Sequence, residues 1–289
     1  MGIVVRDIVQ MATAQLERCG VENAKVDAEL IFRHLLKVDK MGFFKLWGTA
    51  LDDATWDRYL DLITQRSQGL PLQHITGEQE FMGLTFAVTP EVLIPRQETE
   101  VLVGEVVRII QSGNKKSYSV LDLCSGSGVI GISIVSLCKN VKVTASDVSE
   151  KAIEMTRKNA KALGVDKRMS FVKGDLFQPF KGRFKTEKFD IIVSNPPYIR
   201  SGDIAGLQVE VKDHEPLLAL DGGADGLEFY RKIINDSHAH FKKDGVLALE
   251  IGHDQALDVA KIAGETERFD GIELIKDLAG KDRVLIFSY

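Results

Sequence analysis

From Ser119 to Ile251 short apolar runs alternate with stretches of helical periodicity, and few folds accommodate such a chain. Ser119–Leu123, Val141–Ser146, Met169–Val172, Phe189–Ser194 and Gly245–Ile251 have the length and β-branched content of strands buried on both faces. Between them, Val129–Cys138, Ser149–Leu163 and Leu227–Phe241 read as helices. This order predicts an α/β fold, a parallel sheet with helices on both faces. The tail departs from it. Glu273–Leu278 and Arg283–Ser288 read as two strands joined by Ala279-Gly280-Lys281, so a C-terminal β-hairpin should finish the sheet.

The first 75 residues show a different pattern. Helical spacing runs from Val4 to Arg18, where Gly20 stops it. It resumes over Ala24–Leu36, with Val26, Leu30, Ile31 and Leu35 on one face, and again after Asp53, read as an N-cap. A small all-α domain is expected over residues 1–75, a β-hairpin linker over 76–95, and the α/β domain over 96–289. The linker carries Phe81, Leu84, Phe86 and Val88 around Gly83; a helix over Glu100–Ile110 follows it.

No run approaches the roughly 20 apolar residues of a membrane span. The start, Met1 to Gln10, lacks the basic, apolar and small-residue regions of a secretion signal. Cys19, Cys124 and Cys138 are odd in number and fit no zinc spacing, which predicts reduced thiols in a cytoplasm and no metal. Net charge is -5 and neither part of the chain is basic, so no direct binding of nucleic acid is expected.

Open α/β sheets bind ligands at the carboxyl ends of their strands. The first strand ends in Cys124-Ser125-Gly126-Ser127-Gly128, where glycines allow a tight turn and a close approach to a ligand. A plain strand-to-helix turn would use glycines too, but Asp147 closes the next strand. A carboxylate there can accept both hydroxyls of a ribose. The turn is neither Gly-x-Gly-x-x-Gly nor a lysine-bearing phosphate loop, so a ligand without phosphates suits it. S-adenosylmethionine is such a ligand, and S-adenosylhomocysteine would be its product. Asp175, followed by Leu176 after the third strand, could accept from the adenine amino group.

The fourth strand ends in Asn195-Pro196-Pro197-Tyr198. Proline cannot donate to a strand ladder, so two of them directly after a buried strand are unusual. The Asn195 side-chain carbonyl and the Pro196 main-chain carbonyl supply two acceptors at the mouth of the sheet, which match the two donors of a planar NH2 group. Such a nitrogen is a poor nucleophile. Orienting it against an activated methyl supplies much of the rate, holding its N–H bonds adds an electrostatic contribution, and Tyr198 can stack on its plane.

Asn195-Pro196-Pro197-Tyr198 resembles the motif of amino-methyltransferases. Other segments are similar to the HemK/PrmC family: Leu93-Ile94-Pro95-Arg96-Gln97-Glu98-Thr99-Glu100, Gln73-His74-Ile75-Thr76-Gly77, Glu215-Pro216-Leu217-Leu218-Ala219-Leu220 and Asp277-Leu278-Ala279-Gly280-Lys281-Asp282-Arg283. The resemblance spans the chain. It implies a class I (Rossmann-like) methyltransferase domain with a C-terminal β-hairpin, behind a small all-α domain that recognises the substrate. It implies methylation of the glutamine in the Gly-Gly-Gln motif of class I release factors. Asn195, Pro196, Pro197 and Tyr198 would bind the substrate amide and carry the catalysis. Cys124, Ser125, Gly126, Ser127, Gly128, Asp147, Asp175, Leu176 and Asn195 would line the cofactor. Gln97 stands where the family has proline, and Cys124 where it has glycine. His74 and His214 read as structural. A ribosomal-protein glutamine, an adenine of nucleic acid and a non-catalytic nucleotide-binding role are the competing readings.

Overall fold

A computed structural model describes residues 3–181 and 187–289. The chain divides into two units, residues 1–78 with 208–214, and residues 79–207 with 215–289.

Among the described residues, the first stretch of this unit forms α1 (Val5–Arg18), α2 (Ala24–Leu36), α3 (Lys40–Leu46), α4 (Asp53–Ser67) and α5 (Leu72–Thr76). Helix α1 buries Val5, Ile8, Val9, Ala12 and Leu16, the spacing of one helical face. Helix α2 has the expected ends but a different inner face. Val26 is 54% exposed, while Asp27, Ala28, Ile31 and Phe32 turn inward. The cause is an ion pair, since Arg66 of α4 reaches Asp27 at 2.7 Å and both side chains are nearly buried. Asp52, not Asp53, caps α4, its carboxylate accepting from the Thr55 N–H at 2.9 Å. Helix α3, which the sequence pattern did not reveal, is short. It inserts Phe43 edge-on against Phe32 at 5.6 Å, and Tyr59 meets the same ring at 5.5 Å.

Gln208–His214 also belong to this unit. Their single helical turn, Val209–Lys212, brings Glu210 to Arg66 at 3.1 Å. Gly69 makes room for it, because a Cβ there would lie 2.6 Å from Val209 Cγ1.

The second unit opens with the hairpin β1 (Glu78–Phe81) and β2 (Leu84–Ala87), turned at Met82 and Gly83, both with positive φ. The hairpin is more than a spacer: Phe81 and Phe86 sit in one core with Leu102, Val103 and Val106 of α6 (Thr99–Ser112). Then come β3 (Tyr118–Leu123), α7 (Val129–Leu137), β4 (Val141–Asp147), α8 (Glu150–Ala162), β5 (Met169–Lys173) and β6 (Phe189–Ser194). After β6 follow α9 (Glu228–Ser237), β7 (Phe241–Glu250), α10 (Ala256–Gly264), β8 (Gly271–Lys276) and β9 (Asp282–Ser288).

The seven-stranded sheet has the order β5-β4-β3-β6-β7-β9-β8. β3 to β7 pair in parallel, and β9 runs antiparallel to β7 and β8. Alternate residues serve opposite faces. Val120, Ile191 and Val193 face the core shared with α6 and α7, while Leu121, Leu123 and Ile192 face that of α9 and α10. The expected helix over Leu227–Phe241 ends at Ser237, and β7 begins earlier than expected because Phe241 pairs with Phe189 of β6. Helix α10 escaped the sequence reading. Its inner face is mostly small, Ala256, Val259 and Ala263, and Leu257 points outward. The chain runs outward from β3 through β4 to β5, then returns to β6 on the other side of β3. The switch point between β3 and β6 is where such sheets bind ligands. Among the described residues no helix is long and apolar enough to cross a membrane.

Arg66→Met would leave Asp27 buried without its partner, and the first unit should lose about 3 kcal/mol. Both tryptophans, Trp47 and Trp56, lie in that unit. Urea unfolding followed by tryptophan fluorescence therefore reads the loss directly; an unchanged midpoint would contradict it.

Candidate active site

The turn after β3 takes the left-handed conformation at every second residue, with φ of 58° at Cys124, 55° at Gly126 and 85° at Gly128. Cys124 holds without strain relief a backbone that glycine adopts freely. Helix α8 supports the turn from behind. Thr156 Oγ1 donates to the Gly126 carbonyl at 2.9 Å, and Asn159 Nδ2 to the Ser127 carbonyl at 2.9 Å. A Cβ on Gly128 would meet Thr156 at 2.6 Å, so that glycine serves close packing.

Asp147 ends β4 facing the turn. One carboxylate oxygen accepts the Gly126 N–H and the other the Ser149 N–H, each at 2.9 Å. Burial raises its pKa against these two bonds. Each oxygen keeps a lone pair for a further donor.

A cavity of about 260 Å³ opens at this end of the sheet. Cys124, Gly126, Asp147, Asp175, Leu176, Asn195 and Pro197 line it. Ser125 and Ser127 are buried behind the turn and, like Gly128, Pro196 and Tyr198, lie outside the lining. Glu91, Val92, Leu93, Pro216, Leu218, Ala219 and Phe229, to which the sequence assigned no role, also line the cavity. Arg96 explains why two family-like segments meet here. It donates to both oxygens of Glu215 at 2.7 and 2.8 Å, fastening the segment behind Leu93 to the one before Pro216.

The lining carries three carboxylates, Glu91, Asp147 and Asp175, and no lysine or arginine. A diphosphate would be repelled and a cation attracted. This set of acceptors fits the hydroxyl- and amino-bearing nucleoside end of S-adenosylmethionine. Among the described residues no cluster of His, Cys, Asp or Glu could hold a metal. His74 and His214 lie in the first unit. Burial and the neighbouring His214 lower the pKa of His74.

The segment after β6 is fixed from outside. Ser194 Oγ donates to the Leu123 carbonyl at 2.8 Å, and Asn195 Nδ2 donates to Thr99 Oγ1 at 3.2 Å. Ile199 pairs with Leu220 and Gly222 through main-chain bonds of 3.0 and 2.8 Å. Gly222 presses so closely that a Cβ would lie 2.6 Å from Tyr198 Cα and 2.9 Å from the Pro197 carbonyl. Gln255 donates to the Tyr198 carbonyl at 3.0 Å while accepting the Gly252 N–H at 3.0 Å. Burial pushes the Tyr198 phenol up to about 12, so it stays neutral. Among the described residues no donor reaches the Pro196 carbonyl. With Asn195 Nδ2 engaged on Thr99, Asn195 Oδ1 and the Pro196 carbonyl remain as acceptors.

Under the cofactor turn, Asp122 of β3 is fully buried, and one oxygen accepts the Gly131 N–H at 2.9 Å. Burial pushes its carboxyl up to about 7. A raised acid favours the folded state fully below its unfolded value near 4, and that contribution fades as pH climbs through 7. Asp122→Asn keeps the Gly131 bond and removes the titration. The second unit should gain of order 3 kcal/mol at pH 8 relative to wild type, and little at pH 4. Calorimetric melts at the two pH values check this, and equal differences would refute it.

Two family models match the sequence, the PrmC N-terminal domain over residues 7–77 and the methyltransferase small domain over residues 99–211. The chain is 40% identical to the release factor glutamine methyltransferase of Clostridium acetobutylicum over 282 residues, 98% of this chain and 97% of that one. It is 36% identical to the enzyme of the same name from Moorella thermoacetica over 284 residues, 98% of each. Among solved structures, the hMettl16 catalytic domain in complex with MAT2A 3'UTR hairpin 6 shares the fold, with a TM-score of 0.55 at 15% identity over 82% of each chain. The second unit has the expected Rossmann-like class I methyltransferase fold with a C-terminal hairpin. The chain belongs to the release factor glutamine methyltransferase family.

Proposed function

We propose that this protein transfers a methyl group from S-adenosylmethionine to the side-chain amide nitrogen of the glutamine in the Gly-Gly-Gln motif of class I peptide chain release factors. The observation that carries this reading is the acceptor pair at the end of β6, Asn195 Oδ1 and the Pro196 carbonyl, beside an acid-lined cavity. The full-length likeness to release factor glutamine methyltransferases supports it.

When bound, S-adenosylmethionine supplies an electrophilic methyl on a sulfonium. Asp147 and Asp175 hold the nucleoside end. Asp147 and Asp175 give the cavity a negative potential that favours a cationic ligand, while Glu91 is paired with Lys151. Asn195 Oδ1 and the Pro196 carbonyl each accept one N–H of the substrate amide, which sets the amide plane and turns the nitrogen lone pair toward the cavity. The pair is stiff because Gly222, Gln255 and Thr99 hold the loop, so little reorganisation is needed at transfer. Accepting both N–H bonds draws electron density toward nitrogen, and the surplus proton leaves to solvent after alkylation. No metal is needed for this chemistry, and the release factors place the work in the cytoplasm. The same pair would take the amino group of adenine. A net charge of -5 disfavours that substrate, whose phosphates need cationic partners.

Incubation of the organism's class I release factors with the protein and labelled cofactor, read by mass spectrometry, should add one methyl to the Gly-Gly-Gln glutamine. Release factors left unmodified by cofactor-bound protein would sink the reading. Asn195→Ala should slow transfer by about 100-fold or more. Gly222→Ala, whose new Cβ displaces the loop, should slow it by about tenfold to 100-fold with cofactor affinity in calorimetry unchanged; full transfer by this variant would show that the loop position is not critical.

A further inference from the structure

Glu250 ends β7 beside the acceptor loop. Its neighbour Leu249 pairs with Ser194, so Glu250 lies in register with Asn195. Its side chain is buried, 1% exposed, and Oε2 has no partner among the described residues. Thr99 and Asn195 lie close enough to its carboxyl to lower its pKa, and Asn195 Nδ2 donates to Thr99 Oγ1 at 3.2 Å.

These three groups fix their own polarity. An ionised carboxylate only accepts, so a Thr99 hydroxyl turned to Glu250 donates to it. The Thr99 oxygen is then left to accept from Asn195. The Asn195 NH2, held on Thr99, keeps its second donor for Glu250, and Oδ1 is turned away from Thr99. A neutral Glu250 carries an O–H that can donate to Asn195 Oδ1. The amide could then turn over and present NH2 where an acceptor is required.

We propose that Glu250, with Thr99, is a positioning residue that sets which edge of the Asn195 amide faces the substrate. The proposal rests on the reading of Asn195 as an acceptor for a substrate NH2 group. The groups facing Glu250 are Glu98 ahead of α6, Arg283 on β9, Tyr230 on α9 and Tyr198 on the loop. Arg283 is shared with Asp277, its Nη2 lying 3.2 Å from that carboxylate, and the Tyr230 hydroxyl donates to the Glu250 main-chain carbonyl at 3.1 Å. Burial pushes the Glu250 carboxyl up to about 7, against Thr99, Arg283 and Asn195, which lower it. The clamp is set above neutrality and released below it.

The test uses the full chain with and without Glu250→Gln, and reads the side-chain NH2 resonances of Asn195 by NMR between pH 5.5 and 8.5 alongside the pH profile of methyl transfer. The wild-type amide resonances should titrate near neutrality, and kcat should rise through the same pH. In Glu250→Gln both titrations should vanish, and kcat at pH 8 should fall at least about tenfold with cofactor affinity unchanged. Thr99→Val should reproduce the loss of kcat and Thr99→Ser restore it, which separates positioning from a folding defect. Amide resonances that ignore pH in the wild type, or Glu250→Gln with wild-type kcat and pH profile, would overturn the proposal. A wild-type protein that methylates no release factor would overturn the substrate assignment alone, with the amide resonances still deciding the clamp.

Discussion

Two successive prolines at the end of a buried strand remove two donors, and the segment that carries them cannot fasten itself. Every restraint on Asn195–Tyr198 therefore comes from elsewhere in the chain. Gln255 holds the Tyr198 carbonyl, Gly222 brings a second backbone into contact, and Thr99 engages Asn195. Those partners lie between 24 and 96 residues away in sequence, so only a formed sheet assembles them. The Arg96–Glu215 pair belongs to the same scheme, tying together segments 119 residues apart. What the prolines give in return is a carbonyl that no helix or ladder has claimed.

The ligand end is built on a different physical basis, an accumulation of acid. Asp122, Asp147 and Asp175 stand at or near the ends of three neighbouring strands, and the fourth carboxylate of the site, Glu91, is paired with Lys151. Burial raises Asp122 and Asp147, and the charge of Asp147 raises Asp122 further. Their main-chain donors, Gly131, Gly126 and Ser149, offset part of the cost. A cationic ligand would offset more, so this end of the sheet is least favourable electrostatically when empty.

The sequence showed the parts that depend on local rules. The strand–helix alternation, the glycine turn, the acid closing β4 and the two prolines each have a short-range physical reason, and the cavity gathers Cys124, Gly126, Asp147, Asp175, Leu176, Asn195 and Pro197. What stayed hidden depends on distant partners. Val26 looked like a core residue until Arg66 drew Asp27 inward. Helix α10 has too small an apolar face to show a period. Glu250 is one acid at the end of an apolar run, and only its register with Asn195 gives it meaning. Thr99 was visible inside a family-like segment, but nothing in that segment says that its hydroxyl faces Asn195.

The seven residues Gln208–His214 leave the second unit and are counted with the first. Their chain begins ten residues after Tyr198 and returns at Glu215, the partner of Arg96. Neither unit is therefore a continuous stretch of polypeptide. A cut after residue 78 takes Glu210 from Arg66 and leaves the space above Gly69 empty. Such threading resists modular exchange: a helical domain grafted from a relative would have to bring its own version of that seven-residue stitch. The two parts of this chain are thereby bound to change together.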